Sequence, residues 1–164
     1  MSQQDTWWFP VLLALGWAVV LGAVGGWLTQ LDAWYRQLRF PAWKPPDWAF
    51  GPVWTTIFLC AGTAFVLAWK AAGTSGMSRG TLVAAYVVNG LLNMLWSLLF
   101  FRRHRPDQAY VESYLLWLSI LAMLIVAGSM SPWGFLLLAP YLVWVTVATA
   151  LTRAVVRLNG PFSG

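Results

Sequence analysis

Long stretches without a charged residue alternate with short segments in which charges cluster. The four longest uncharged stretches contain 26, 22, 22 and 40 residues and cover 6–31, 48–69, 80–101 and 113–152. Because about 20 apolar residues cross the hydrocarbon core as a helix, the first three stretches hold one span each. The fourth holds two, and its centre, Gly128 to Pro132, favours a tight reversal. The pattern therefore predicts one domain over 1–164 with five transmembrane helices, at roughly 7–28, 50–69, 81–101, 109–129 and 133–152.

Composition supports a membrane location. Only 9% of the residues are charged, 60% are hydrophobic and 13 are Trp, whereas about a quarter of the residues of a soluble domain are charged. A soluble domain of 164 residues could not hide so much apolar surface in one core. These numbers exclude a cytosolic enzyme and a disordered chain. They also exclude nucleic acid as a partner, because the net charge of +5 is scattered between apolar runs.

The basic residues predict the orientation of the chain. Five spans put the first loop, the third loop and the C-terminus on one side of the membrane. This side holds eight Lys or Arg, and the opposite side holds only Lys70 and Arg79. Since basic residues concentrate on the cytoplasmic side, we expect the N-terminus outside and the C-terminus in the cytoplasm.

The connection between the first two predicted spans has an unusual composition. Residues 34–54 contain seven aromatic side chains, and Pro41, Pro45 and Pro46 prevent a continuous helix there. One interpretation is an interfacial belt, because Trp and Tyr favour the headgroup level. The other is a long, stiff loop that covers an apolar cavity in the bundle, since a belt needs neither the proline pair nor a fixed spacing.

Three motifs follow one another along the chain. They are Trp34-Tyr35, Leu38, Pro41, Trp43 and Pro45-Pro46; then Asn93, Trp96-Ser97 and Phe100-Phe101; then Pro140-Tyr141, Trp144, Ala148-Thr149 and Leu151. Together with five predicted spans, these motifs resemble those of the TspO/translocator protein family, also called tryptophan-rich sensory proteins or peripheral benzodiazepine receptors. The resemblance covers nearly the whole chain.

The resemblance implies an all-α, five-helix integral membrane bundle, commonly a homodimer, here most simply in a bacterial cell membrane. Its ligands would be porphyrins, haem-related tetrapyrroles and similar flat hydrophobic molecules, with no obligatory cofactor and a role in sensing, transport or regulation. Carried over by motif, the ligand-binding residues would be Tyr35, Pro45, Trp54, Phe58, Asn93, Trp96, Ser97, Trp144 and Ala148. Further candidates are Trp43, Asn89 and Glu112.

Several of these residues have a second interpretation. Asn89 and Asn93 lie on one face of the third span, which must point inward. They would either bond neighbouring helices or contact ligand. Glu112 would either pair with the basic cluster at 102–105 or have a functional role. His104 could ligate haem iron, but a basic loop usually binds anionic headgroups instead.

Other function classes receive less support. A proton-coupled exporter needs an ionisable residue deep in a span, and the middles of all five predicted spans lack one. The sequence also contains no catalytic constellation and no metal-ligand cluster, so breakdown of a bound porphyrin would depend on the pigment itself. A small-residue ridge on the first span, Ala14, Ala18, Gly22 and Gly26, is consistent with close packing inside the bundle and with dimerisation. We expect internal packing, because a central helix would need such a smooth side.

Overall fold

A computed structural model describes residues 7–72 and 77–162. The described residues form helices and connections without a β-strand. The helices are α1 (Trp8–Leu28), α2 (Ala33–Gln37), α3 (Asp47–Ala71), α4 (Arg79–Ser97), α5 (Pro106–Met130) and α6 (Pro132–Asn159), and α4 continues into a π-helical segment at Leu98–Arg102. All of them except α2 are long and apolar enough to cross a membrane, so five candidate spans, as predicted, are confirmed.

Local sequence explains several helix ends. Pro106 and Pro132 start α5 and α6, where the missing N–H of proline costs no helical hydrogen bond. Ser78 caps α4 by accepting a hydrogen bond from the Thr81 N–H. Helix α6 extends to Asn159, seven residues beyond the end of the predicted span at 152.

The last two helices form a tight antiparallel hairpin. A Cβ added to Gly134 would lie 2.5 Å from the carbonyl oxygen of Ala127, so only glycine permits this approach of the two backbones. Of the five long helices, α5 is the most buried and α1 the least. The expected close packing of the small-residue ridge on α1 is wrong at Gly22 and Gly26, where an added Cβ would meet no heavy atom within 4 Å. Ala14 of this ridge does pack closely, with its Cβ 3.6 Å from a Cβ added to Gly62.

Polar side chains join the helices in the interior. Tyr141 on α6 donates to Asn89 Oδ1 and accepts from Asn93 Nδ2, both at 3.0 Å, and Asn89 Nδ2 donates to Ser119 on α5. Tyr86 donates to the carbonyl oxygen of Ala61 on α3. Because lipid offers no partner to these groups, the bonds fix how α3, α4, α5 and α6 face one another.

Candidate functional site

A cavity of about 430 Å³ lies at the end of the bundle that carries most of the basic residues. Its walls come from α1, α3, α4 with its π-helical segment, and α6, and the connection between α1 and α3 contributes Thr29, Leu31 and Tyr35. This volume lies within the usual range of about 300–1,000 Å³ for small-molecule sites. Helix α5 contributes no lining residue.

Aromatic side chains from α3, α4 and α6 line the cavity. On α3, Trp54 lies with its ring centroid 5.4 Å from that of Phe58, and on the α6 side Trp144 packs edge-on against Phe50 at 5.4 Å. Trp96 on α4 is a third wall residue and stacks on Phe100 at 5.2 Å. These contacts hold the rings in fixed orientations, so their free faces are available to a flat ligand.

Glycines make up another part of the lining, on α1 and at the start of α3. Gly22, Gly25 and Gly26 of α1 line the cavity together with Gly51 of α3. A Cβ added to any of the four would meet no heavy atom within 4 Å. The glycines therefore do not serve close helix packing; they leave open the space that side chains would otherwise occupy.

Few polar groups interrupt this apolar lining. The Trp144 Nε1–H is buried without a hydrogen-bond partner, which is costly for a donor in an apolar site. Asn93 and Ser97 are buried on the α4 side, and Asn93 already donates to Tyr141. A ligand with a hydrogen-bond acceptor beside the Trp144 indole would therefore satisfy this buried N–H donor.

Tyr35 attaches the α1–α3 connection to the cavity rim. Its hydroxyl donates to Asp47 Oδ1 at 2.8 Å, and Lys44 forms an ion pair with the same carboxylate. Burial, and then the hydrogen bond to Asp47, raises the pKa of Tyr35. The phenol therefore stays protonated at neutral pH and remains a donor.

The same connection is bound to two further elements. Asp32 caps α2 by accepting from the Tyr35 N–H at 2.9 Å, and its other oxygen lies 3.2 Å from His104 Nε2. The His104 ring stacks on Trp34 with centroids 4.1 Å apart. The hydrogen bond from the Tyr35 N–H holds the pKa of Asp32 below its usual value against the opposing effect of burial, and the neighbouring His104 adds to the lowering. Asn159 at the end of α6 makes two hydrogen bonds to the backbone of Arg39.

The structure brings most of the predicted site residues together. Those that line the cavity are Tyr35, Trp54, Phe58, Asn93, Trp96, Ser97, Trp144 and Ala148. Pro45 and Trp43 do not line it, and Trp43 is exposed. Asn89 lies in the interhelical network described above.

Glu112 does not have the environment expected from its interfacial interpretation. It is 95% buried on α5, with 5% of its surface exposed, and neither carboxylate oxygen has a hydrogen-bond partner. The basic cluster is engaged elsewhere: Arg105 pairs with Asp107, Arg102 donates to the carbonyl oxygen of Trp27, and His104 faces Asp32. The predicted pairing of Glu112 with this cluster is therefore wrong, since the acid points into the bundle.

Sequence reasoning missed two groups of cavity residues. Gly22 and Gly26 of α1 belong to the predicted ridge of small residues. The spacing of such a ridge is the same whether it packs against another helix or borders a cavity, so the sequence did not distinguish the two. Asp47 and Phe50 lie at the start of α3 and line the rim. Asp47 was interpreted only as the boundary of an uncharged stretch, and no signal indicated that Tyr35 would bond to it.

Comparison with known proteins assigns the chain to a family. A model of the TspO/MBR family matches residues 13–158. The tryptophan-rich protein TspO of Chlorobaculum tepidum is 35% identical over 152 residues, which cover 90% of this chain and 94% of that protein. The tryptophan-rich sensory protein of Cereibacter sphaeroides is 33% identical, with 84% of each chain covered. The human translocator protein is also 33% identical, over 80% of this chain and 78% of its own.

These matches and five membrane-spanning helices define an integral, multi-pass membrane protein. The chain belongs to the TspO/MBR family.

Proposed function

We propose that this protein is a membrane receptor that binds a tetrapyrrole, of the porphyrin or haem-related kind, in the cavity at the basic end of the bundle. The observation that carries the proposal is the pairing of aromatic walls on α3, α4 and α6 with a glycine wall on α1. Rings stack on the faces of a flat macrocycle. A wall without side chains leaves room for its breadth.

The polar groups suit such a ligand. A tetrapyrrole is mostly apolar but carries carboxylates and pyrrole nitrogens at defined places, which matches an apolar lining with few polar groups. The free Nε1–H of Trp144 is the donor that we assign to a ligand acceptor.

The connection between α1 and α3 acts in this proposal as the cover of the cavity. It supplies Leu31 and Tyr35 to the lining, and its bonds to Asp47, His104 and Asn159 hold it against three different elements. Ligand entry would require it to move. Binding would then change the contacts of the cover with α4 and α6, which is how a receptor could report its occupancy.

Titration of the purified protein with protoporphyrin in detergent tests binding. The shift of the porphyrin absorption band is the readout, because it does not depend on how many Trp residues a variant contains. We expect saturation at one porphyrin per chain. A signal that never saturates and scales with detergent concentration would mean partition into micelles and would contradict the proposal.

A flux measurement separates a receptor from a carrier. Proteoliposomes loaded with porphyrin are compared with protein-free liposomes for release to an external acceptor protein. A receptor binds without accelerating release, whereas a carrier accelerates it.

We also propose that the N-terminus lies outside and the C-terminus in the cytoplasm of a bacterial cell membrane, with the cavity open toward the cytoplasmic leaflet. The distribution of Lys and Arg supports this orientation. A reporter fused after Gly164 should be active only in the cytoplasm; activity in the periplasm would contradict the orientation. The homodimer that the resemblance implies remains a prediction, to be checked by mass measurement in detergent.

A further inference from the structure

A second concave surface lies on the outer side of the bundle and shares no residue with the cavity. It is a groove of about 650 Å³ between α5 and α6. Its floor is crossed by a hydrogen bond of 2.9 Å from Trp117 Nε1 to Thr146 Oγ1. We call it the α5–α6 groove. Because it opens to the side of the bundle, its surroundings in a membrane are lipid and not water.

The groove has a charged end and an aromatic end. Arg153 and Arg157 are four residues apart, so they project from the same face of α6. Tyr110 and Tyr114 face them from α5, with their hydroxyls hydrogen-bonded to each other. Trp117 lies seven residues after Tyr110, which places it about 10 Å further along the helix axis, away from the basic end.

The two arginines of the groove are not neutralised. Within 7–72 and 77–162, neither guanidinium has a hydrogen bond or an ion pair. The side chains that line the groove include no Asp or Glu. Other cations at the basic end have partners: Lys44 and Arg105 form ion pairs with carboxylates, and Arg102 donates a hydrogen bond to the carbonyl oxygen of Trp27. The groove thus presents two unpaired positive charges at one end and apolar surface at the other.

We propose that the α5–α6 groove binds one anionic phospholipid. Its phosphate lies between Arg153 and Arg157, a tyrosine hydroxyl donates to a headgroup oxygen, and an acyl chain lies along Trp117 and the α6 surface opposite. The polarity of the groove matches that of a lipid in the leaflet at the basic end: charge at headgroup depth, apolar surface deeper. A basic pocket between membrane helices is a common setting for such binding.

This occupant fits better than the alternatives. A zwitterionic lipid would leave the charge of the two arginines uncompensated, since its own cation would lie beside them. A free phosphate would use the charged end but leave the aromatic end unoccupied. A second copy of this chain would have to bring an acidic group to the arginines. Each of these alternatives predicts a different experimental result.

The test uses the full chain in a nonionic detergent, titrated with dioleoyl phosphatidylglycerol or with dioleoyl phosphatidylcholine. Native mass spectrometry counts retained lipids and gives the oligomeric mass, and the unfolding temperature is measured in parallel. The variant is Arg153→Gln with Arg157→Gln. The matched control is Arg36→Gln with Arg103→Gln, which removes two exposed arginines from the same end of the bundle but away from the groove.

We expect the wild type and the control to retain one phosphatidylglycerol per chain and to be stabilised by it. The groove variant should bind it about 25-fold more weakly, from about 1 kcal/mol per basic residue at a membrane surface and 1.4 kcal/mol per tenfold in affinity. All three proteins should show the same helical content by circular dichroism, since the four arginines are exposed.

Four results would overturn the proposal. Equal loss of lipid by the groove variant and the control would indicate general surface charge. Equal retention of phosphatidylcholine would show that the arginines do not select a headgroup. Stabilisation by inorganic phosphate alone to the same extent would exclude a role of the acyl chains. A change from dimer to monomer in the groove variant, without lipid selectivity, would mean that a second copy occupies the groove.

Discussion

Filling the glycine wall of the cavity should weaken ligand binding without harming the fold. The change is Gly22→Leu on α1. A Cβ at Gly22 would meet no heavy atom within 4 Å, and Gly22 lines the cavity, so the new side chain enters free space. Leu is a better helix former than Gly by roughly 0.5–1 kcal/mol, and the unfolding temperature should therefore stay the same or rise.

The cost to the ligand follows from the size of the cavity. Four added carbons take up part of about 430 Å³, and a bound macrocycle would have to shift or lose contact with the aromatic wall. Overpacking of this kind costs about 1–3 kcal/mol, which corresponds to roughly 5- to 150-fold weaker binding. The stability effect and the affinity effect should thus have opposite signs.

The matched control is Gly16→Leu on the same helix. Gly16 also has nothing within 4 Å of an added Cβ but does not line the cavity. The assay is a protoporphyrin titration followed by the absorption band, with unfolding monitored by circular dichroism. Unchanged affinity in Gly22→Leu, or equal losses in both variants, would refute the assignment of this wall to the ligand site.

Three other substitutions examine the aromatic wall, the interior and the cover. Trp144→Ala should weaken porphyrin binding by about 1–3 kcal/mol, because the ligand loses stacking area and a fixed stacking geometry. Trp7 is exposed and lies outside the cavity, so Trp7→Ala should leave the affinity unchanged. Equal losses in both variants would mean that these Trp residues only anchor the protein at the membrane interface. Glu112→Gln should keep or raise the unfolding temperature, because an unpartnered buried carboxylate gains nothing from charge; a large decrease would reveal a charged partner. Asp32→Ala should speed hydrogen exchange at the Tyr35 N–H and porphyrin release, whereas Asp32→Asn, which can still cap α2, should not. Because the pKa of Asp32 is lowered in the folded state, its carboxylate stabilises the fold at pH values above the usual pKa of 3.8, and this stabilisation is lost as the pH falls below 3.8. If the Tyr35 N–H exchanges at the same rate with and without the Asp32 side chain, this role is contradicted.

The helices could be predicted from sequence because each span must satisfy its own backbone hydrogen bonds. The uncharged stretches therefore report spans almost directly. The π-helical segment at Leu98–Arg102 could not be predicted in this way. Its hydrogen bonds, such as Arg103 N–H to the Leu98 carbonyl oxygen, join residues five positions apart instead of four, a local difference that hydropathy does not encode.

The candidate site was only partly predictable. Trp54, Trp96 and Trp144 could be named in advance through the resemblance of the sequence to the TspO/translocator protein family. Pro45 was carried over by the same resemblance, but a motif does not show which side of an irregular segment faces the cavity. Whether α1 glycines pack or border a space depends on the distance between helices, which hydropathy does not encode.

The most direct test of the central claim is to locate the ligand. Crystals of the protein grown with a metal-substituted protoporphyrin would give an anomalous signal from the metal. The proposed function predicts one peak per chain inside the cavity, with the macrocycle in contact with Trp54 and Trp144 and the α1 glycines at its edge. A peak on the outer surface of the bundle, with the cavity occupied by something else, would contradict it.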